Sequence, residues 1–363
     1  METKKLTYIP LVLLHILLGV LLFFIPFLAK IISILIVVVG LSAVIKNKNK
    51  NNEVLYASAY MIGIEVLMRM TEGMFFNEFA KYSVMIFMFV GMIYSGFSKN
   101  ALPYLFFLLF LLPGVILSTT NLSLEADVRK AIAFNISGPV CLAVASIYCY
   151  RRKVTFDQIN LVIISLSLPI ISLATYLFLY NPSVKDVITG TASNFETSGG
   201  FGPNQVSTIL GLGIFVFFAL LMLYSKSKRL LLLHALLTGI VAFRGIVTFS
   251  RGGVITGIIM ILLLLVVVYK NAGTSSKLKI IYISGAAVLF SLAIWSYSSS
   301  QTNGLIDKRY ANQDAAGREK EDRLGGREEI ALTEVQMFLD HPVLGIGVGK
   351  NKEYRAETTG IEA

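Results

Sequence analysis

The sequence is poor in cysteine and in charged residues, and each shortage excludes a class of protein. Only two cysteines occur in 363 residues, Cys141 and Cys149, and both lie in one apolar run. Eight residues apart on a helix, they are separated by about 12 Å, which is too far for a disulfide. Charged residues make up 15% of the chain and hydrophobic residues 55%. This balance is typical of an all-α polytopic membrane protein and not of a soluble domain.

Motifs for nucleotide and metal chemistry are also missing. The chain has no Walker motif, no cluster of zinc ligands and no Asp-x-Asp pair that would hold a metal–nucleotide-sugar complex. The glycines of residues 345–349 are not a dinucleotide fingerprint, because no strand precedes them. We therefore expect no metal ion and no cofactor. The net charge of +10 does not indicate a nucleic-acid partner, because Lys and Arg lie in short clusters between apolar runs.

Apolar runs long enough to cross a bilayer recur along the chain. A hydrocarbon core about 30 Å thick needs roughly 20 helical residues, and about eleven runs meet or approach this length. The predicted spans are 8–25, 28–45, 54–70, 81–97, 101–118, 131–150, 159–180, 204–224, 230–248, 253–269 and 280–298. No small-residue cleavage site follows Lys4 and Lys5, so the first run predicts a retained span and not a removed signal peptide.

The distribution of Lys and Arg predicts the orientation of these spans. With the N-terminus in the cytoplasm, the inner segments hold fifteen of them: Lys4, Lys5, Lys46, Lys48, Lys50, Lys99, Arg151, Arg152, Lys153, Lys226, Lys228, Arg229, Lys270, Lys277 and Lys279. The short outer segments hold six: Lys30, Lys81, Arg129, Lys130, Lys185 and Arg251. This excess satisfies the positive-inside rule. We therefore predict a transmembrane domain over residues 1–298 and an extracytoplasmic region over residues 299–363.

The predicted outer region contains one amphipathic helix, from Arg327 to Leu339. Gly325 and Gly326 precede it and Pro342 ends it. Its apolar face carries Ala331, Val335, Phe338 and Leu339. No further span appears before Ala363, so we expect these residues to be part of a longer chain.

The most informative stretch is Phe249-Ser250-Arg251-Gly252-Gly253, inside an apolar run that extends from Leu230 to Tyr269. The run is about twice the length of one span, so Ser250 to Gly253 predict a turn between two spans, with glycines that allow a sharp bend. A guanidinium in this setting costs a few kcal/mol unless it has a partner or reaches the interface. Arg251 therefore indicates a bound anion at the outer surface. An interfacial arginine on lipid head groups is the alternative.

Two further arginines lie within predicted spans. Arg244 lies seven residues before Arg251, nearly two helical turns, so both share one face and suit a bound anion or a buried carboxylate. Glu65 and Arg69 lie four residues apart and predict an intramembrane ion pair on one helix face. A role of this pair in catalysis is the alternative, and a further alternative is that Glu65 is the partner of Arg244.

Three further candidates lie near the ends of predicted helices: Asn204, Arg327 and His341. Asn204 opens the eighth span, where helix capping explains it and anion binding is the alternative. Arg327 lies in a first helical turn, where its charge opposes the helix dipole and indicates a nearby anion. His341 has two interpretations, a general base or an ordinary histidine at a helix end.

Several of these segments resemble signatures of the O-antigen ligase/polymerase superfamily. They are Thr248-Phe-Ser-Arg-Gly-Gly253 at the start of a span, and Gly326-Arg327 followed by an amphipathic helix and Asp340-His-Pro-Val-Leu-Gly-Ile-Gly-Val-Gly349. The segments 201–204 (Phe-Gly-Pro-Asn) and 134–139 (Phe-Asn-Ile-Ser-Gly-Pro) also resemble family segments. The resemblance extends from about the third span to the end of the sequence, and the order of the motifs is its most specific part.

The resemblance implies a metal-independent membrane glycosyltransferase of surface polysaccharide biosynthesis. Family members take a glycan from undecaprenyl diphosphate at the outer face of the bacterial cytoplasmic membrane. Ligases pass it to lipid A-core sugars, and polymerases pass it to another lipid-linked repeat unit. By resemblance Arg251 and Arg327 bind the diphosphate, and the shared helix face adds Arg244. Supporting roles are expected for Ser250, Asn204, Glu65 and Arg69.

The residue that would activate the acceptor is not among those of the family motifs found here. In the family, a histidine of a His-Asn pair beyond the glycine turn has this role, and residues 1–363 contain no such pair there. We expect that base beyond Ala363, and residues 1–363 alone to be inactive. A transporter or flippase for lipid-linked sugars is the alternative function. It is less favoured because transporters commonly show repeated halves, and the sequence shows none.

Overall fold

The computed structural model describes residues 8–123, 127–320 and 327–360. Within these ranges the chain forms helices joined by short turns and contains no strand. Lys4, Lys5, Gly325, Gly326 and Ala363, which entered the predictions above, lie outside the described residues.

Eleven helices of the described chain overlap the eleven predicted spans. They are α1 (Tyr8–Phe24), α2 (Leu28–Asn47), α3 (Glu53–Met70), α4 (Phe79–Ser95), α5 (Leu102–Asn121), α6 (Val128–Cys149), α7 (Phe156–Tyr180), α8 (Pro203–Leu223), α9 (Lys228–Ile246), α10 (Arg251–Asn271) and α11 (Thr274–Gln301). Eight of them are long and apolar enough to cross a membrane, and α1 and α4 are shorter apolar helices. The number of spans and their orientation stay predictions.

Three shorter helices follow α11 in the described residues. They are α12 (Leu305–Tyr310), α13 (Arg327–Asp340) and α14 (Lys350–Thr359). The predicted boundary after residue 298 falls close to the end of α11 at Gln301. Because that boundary refers to the membrane, it remains a prediction.

The chain divides into two compact units. The first comprises residues 1–35, 59–74 and 155–320, and the second comprises residues 36–58, 75–154 and 321–363. Helices α2 and α3 contribute to both units. The first unit contains α1 and α7 to α12, and the second contains α4 to α6, α13 and α14.

In the first unit, α8 packs against both α9 and α10, and α1 packs against α7. Helices α7 and α8 form the core, since 61% and 67% of their apolar stretches are buried, against 17% for α10 and 6% for α11. Within a membrane, helix association depends on close packing and not on removal of apolar surface from water. The outer sides of α10 and α11 therefore offer an apolar surface to lipid.

In the second unit, α4 and α5 pack against α6, and a polar network joins the helix ends. The amide of Asn49 donates to the Tyr148 hydroxyl at 2.8 Å and to Ser95 Oγ at 2.9 Å. The guanidinium of Arg152 lies 3.7 Å from the centre of the Tyr148 ring and also donates to Ser95 Oγ. Because these groups satisfy one another, the network holds the helix ends in place.

Candidate functional site

The turn before Arg251 lies earlier in the chain than the sequence predicted. Helix α9 ends at Ile246 and α10 begins at Arg251, so the turn comprises residues 247–250 and both glycines belong to the first turn of α10. The bend is made by Phe249, whose φ is 59° and whose side chain is fully buried. The prediction that the glycines make the bend was wrong, because a bulky residue takes the left-handed conformation here.

Hydrogen bonds from distant residues hold this turn. Each of its four carbonyl oxygens, from Val247 to Ser250, accepts one hydrogen bond from elsewhere in the first unit. The donors, in order, are Thr197 Oγ1 at 2.6 Å, the Asn194 amide at 3.0 Å, Arg309 Nε at 2.9 Å and Ser207 Oγ at 2.7 Å. A strained residue persists only where the surroundings over-determine its conformation, and such residues cluster at functional sites.

The glycines serve close packing between α8 and α10. A Cβ atom on Gly253 would lie 1.9 Å from the carbonyl oxygen of Ser207, and one on Gly211 would lie 2.0 Å from the carbonyl oxygen of Gly253. Only glycine permits this approach, which is the small-residue packing common between membrane helices. Residues further along α10 contact residues further along α8, so the two helices run parallel and their N-terminal ends are neighbours.

Ser250 and Asn204 join these two N-terminal ends directly. The Ser250 hydroxyl donates to Asn204 Oδ1 at 2.8 Å. Asn204 does not cap α8, because Gly202 occupies the capping position and Pro203 is the first helical residue. The expected capping role is therefore wrong, while the structure does bring together two of the residues expected to support the site.

Arg251 is the first residue of α10 and is partly exposed. One of its terminal nitrogens donates to the carbonyl oxygen of Arg309 at 3.4 Å. A Cβ atom added to Gly252 would meet nothing within 4 Å, so the surface beside Arg251 is open. Each helix N-terminus carries roughly half a positive charge. Two parallel N-termini and a guanidinium therefore make this end of the unit favourable for an anion.

Arg309 is a component of the site that sequence reasoning missed. It lies in α12, its Nε atom bonds the carbonyl of Phe249, and its own carbonyl accepts from Arg251. The adjacent Tyr310 has a pKa raised to about 12, mainly by burial, although the charges of Arg251 and Arg309 act in the opposite direction. The sequence signal was weak, because 58 residues separate Arg251 from Arg309 and no spacing rule relates them.

Arg244 has a structural role, because it binds backbone carbonyl groups of the protein. Its side chain is fully buried, and its guanidinium donates to the carbonyl oxygens of Leu177 at 2.5 Å, Asn181 at 3.2 Å and Thr197 at 3.5 Å. It also lies 4.9 Å from the centre of the Phe178 ring. A cation suits the carbonyl-rich end of α7. This position disagrees with the prediction that Arg244 binds the diphosphate, because the guanidinium is enclosed by protein.

Glu65 and Arg69 form the ion pair that the sequence predicted. The closest atoms of the two side chains are 3.9 Å apart, and both side chains are 27% exposed. The guanidinium of Arg69 also lies 5.5 Å from the centre of the Phe201 ring. Phe201 belongs to the segment that leads into α8. The pair therefore supports the entrance to α8 and leaves Arg244 with backbone partners.

Arg327 begins α13 in the second unit and is exposed. Glu328 and Glu329 occupy the same first turn, so the charges there include the acidic residues that a helix N-terminus favours. His341 follows α13 and is exposed as well. The roles expected for both residues stay predictions.

A groove of about 610 Å³ lies at the opposite end of α10 from Arg251. Its lining includes Met222, Asn271 and Lys279, from the ends of α8 and α10 and the start of α11. None of the residues predicted for the site lines this groove. Its position away from the parallel N-termini separates it from the candidate anion site.

The helices show the class of protein: it is an all-α, multi-pass membrane protein, as predicted. A family model described as O-antigen ligase matches residues 236–361, a range that contains Arg251, Arg309 and Arg327. Residues 236–361 are therefore similar to the O-antigen ligase family, a family of glycosyltransferase-type enzymes of polysaccharide biosynthesis that act on lipid-linked glycans. No curated protein and no solved structure gives a significant match to the chain.

Proposed function

We propose that the protein is an O-antigen ligase-like glycosyltransferase that transfers or polymerises a glycan from an undecaprenyl diphosphate donor. The acceptor is a lipid A-core sugar or another glycan, and the reaction takes place at the outer face of the bacterial cytoplasmic membrane. The observation that carries this proposal is the position of Arg251, at the joined N-terminal ends of α8 and α10. That surface has the charge and the hydrogen-bond donors that a diphosphate requires.

Arg251 stabilises the leaving group in the proposed reaction. The bond between the anomeric carbon of the glycan and the diphosphate oxygen breaks, and a bond from that carbon to the acceptor oxygen forms. The acceptor hydroxyl loses its proton to a base, and undecaprenyl diphosphate leaves with additional negative charge. A planar guanidinium and fixed helix dipoles stabilise this charge without reorganising during the reaction.

The turn of residues 247–250 gives this arrangement its precision. Arg251 follows a turn whose four carbonyls are all bonded, so its backbone position is set before the substrate arrives. Preorganisation of this kind contributes to catalysis because no binding energy is consumed in ordering the site. Arg327, from the second unit, is proposed as a further ligand of the diphosphate on the strength of the family motif.

The test is substitution of Arg251 in the protein expressed from its own gene. Loss of one group that stabilises a developing charge lowers the rate about 100- to 1,000-fold, so Arg251→Ala should abolish most transfer while the lipid-linked donor accumulates on the outer leaflet. Arg251→Lys should retain part of the activity. Arg318→Ala is the matched control, because Arg318 is also a charged residue of the first unit but is 81% exposed and pairs with Asp314.

Three results distinguish the possible outcomes. Unchanged transfer in Arg251→Ala would remove this residue from the site. Donor that accumulates on the cytoplasmic leaflet would favour a flippase over a transferase. An equal loss in Arg318→Ala would mean that charge in general, and not the position of Arg251, controls activity.

A further inference from the structure

Helix α13 has two sides that differ in their surroundings. On one side Met337 is buried, with 6% exposure. Close to that side, Glu334 accepts a hydrogen bond from Arg355 of α14 at 3.0 Å. This side of α13 therefore faces α14, and the two helices form a hairpin within the second unit.

The opposite side of α13 exposes large apolar side chains. Their exposed fractions exceed one half: Leu332 65%, Val335 57%, Phe338 64% and Leu339 62%. Because they recur three or four residues apart, they form one stripe along the helix. The stripe continues into the following loop, where Val343 is 88% and Leu344 57% exposed. A contiguous apolar patch of this kind marks an interaction surface.

The loop after α13 is fixed against the last two turns of α5. The amide of Val348 donates to the Gly114 carbonyl at 3.0 Å, and the Ser118 hydroxyl donates to the Val348 carbonyl at 3.0 Å. The amide group of Asn121, the last residue of α5, donates to the Ile346 carbonyl at 3.0 Å. Gly347 makes this approach possible, since its φ is 106° and a Cβ atom would lie 3.1 Å from the Ser118 amide nitrogen.

These bonds set the depth of the loop relative to a candidate membrane span. Residues 99–121 form one apolar helical stretch of spanning length, and Gly114 lies seven residues before its end. Seven residues correspond to about 10 Å along the helix axis. The polar residues of α5 begin at Ser118, so the loop crosses from the polar end of the span into its apolar part.

We propose that α13 and the following loop lie in the lipid surface at this end of α5, with the apolar stripe at the boundary between head groups and acyl chains. The stripe is Leu332, Val335, Phe338, Leu339, Val343 and Leu344. Interfacial amphipathic helices bury their apolar face about 5–10 Å into this boundary, which matches the depth set by α5. The charged residues of α13 are four acidic ones and a single arginine, Arg327. Apolar burial and not attraction to anionic lipid therefore holds the helix, and the contact is insensitive to salt.

Site-directed spin labelling of the full protein in phosphatidylcholine vesicles tests this proposal. Single cysteines from 329 to 340 are introduced one at a time in a Cys141→Ala, Cys149→Ala background. The accessibility of each label to oxygen, which enters lipid, is compared with its accessibility to a water-soluble nickel complex. Oxygen accessibility should be highest at 332, 335 and 339, and nickel accessibility highest at 329 and 340, with the helical period of 3.6 residues.

The matched pair is Leu339→Cys and Asp340→Cys, which are adjacent in α13 and point about 100° apart around its axis. High nickel accessibility at both positions would place the stripe in water and overturn the proposal. Low accessibility to both reagents at position 339 would mean that a protein, either a partner or a second copy, covers the stripe. Neither outcome bears on glycan transfer, so this test is independent of the proposed function.

Discussion

Substitution of Gly253 by alanine is the sharpest test of how the candidate site is built. A Cβ atom at this position would lie 1.9 Å from the Ser207 carbonyl oxygen, whereas real Cβ contacts stay beyond 3.0 Å. Because the obstacle is backbone, α10 must move away from α8 by about 1 Å, the difference between these two distances. The neighbouring Gly252 meets nothing within 4 Å, so the same substitution one residue earlier needs no movement.

The magnitude follows from the contacts that the movement affects. Forcing an extra methyl group into a packed site typically costs about 1–3 kcal/mol. The movement also weakens two hydrogen bonds, from Ser207 to Ser250 and from Ser250 to Asn204, each with a net value of about 0.5–1.5 kcal/mol. The helix preference of alanine over glycine returns about 0.5–1 kcal/mol. We expect Gly253→Ala to destabilise the protein by about 1–5 kcal/mol, and Gly252→Ala to stabilise it by about 0.5–1 kcal/mol.

The assay is thermal loss of the monodisperse, detergent-solubilised protein, followed by size-exclusion chromatography. Gly253→Ala should lower the midpoint temperature and Gly252→Ala should raise it slightly. Transfer activity below the midpoint is the second measurement, because a displacement of 1 Å at a catalytic group costs about 100-fold in rate. Equal stability of the two variants would refute the close packing of α8 and α10 at this position.

Two further predictions concern the segments after α11. Arg309→Ala should lower the rate of transfer, because it releases the Phe249 carbonyl and loosens the turn before Arg251. Arg309→Lys should retain less than half of the wild-type rate, because lysine lacks the Nε donor. A normal rate in Arg309→Ala would contradict this positioning role. Hydrogen bonds from Lys350 and then from Ser123 lower the pKa of Glu353, and those from Ser123 dock α14. The contribution of Glu353 to this docking is therefore present above its unfolded pKa and is lost as the pH falls through its lower folded value. Amide exchange of residues 350–359, corrected for intrinsic rates, should speed up in acid, and Glu353→Gln should remove this pH dependence; identical profiles would contradict the linkage.

The helices that overlap the predicted spans were accessible to prediction because their signal is local. Runs such as residues 204–224 and 253–269 carry both the length and the composition of a span within themselves, and α8 (Pro203–Leu223) and α10 (Arg251–Asn271) agree within two residues at each end. Helices α12 and α14 lacked that signal. Each is short and polar, so packing and hydrogen bonds from other segments determine it.

The candidate site was only partly predictable for the same reason. Arg251 was found because a cation interrupts an apolar run, which is visible in the sequence. Arg309 was missed because its contact with the Phe249 carbonyl is purely tertiary. Arg244 was assigned to an anion because helical spacing placed it on the face of Arg251. The turn at residues 247–250 breaks that helix, and the end of α7 supplies the partners of Arg244 instead.

The four bonded carbonyls of the turn have a consequence for biosynthesis. Their donors come from positions 194, 197, 207 and 309, three before the turn and one nearly 60 residues after it. While the chain is being made, α9 and α10 can enter the membrane before Arg309 has been translated. The turn then lacks one of its four restraints until α11 is inserted and α12 has folded. The restraints on the turn before Arg251 are therefore complete only after α12 has been made, well after the turn itself has been translated.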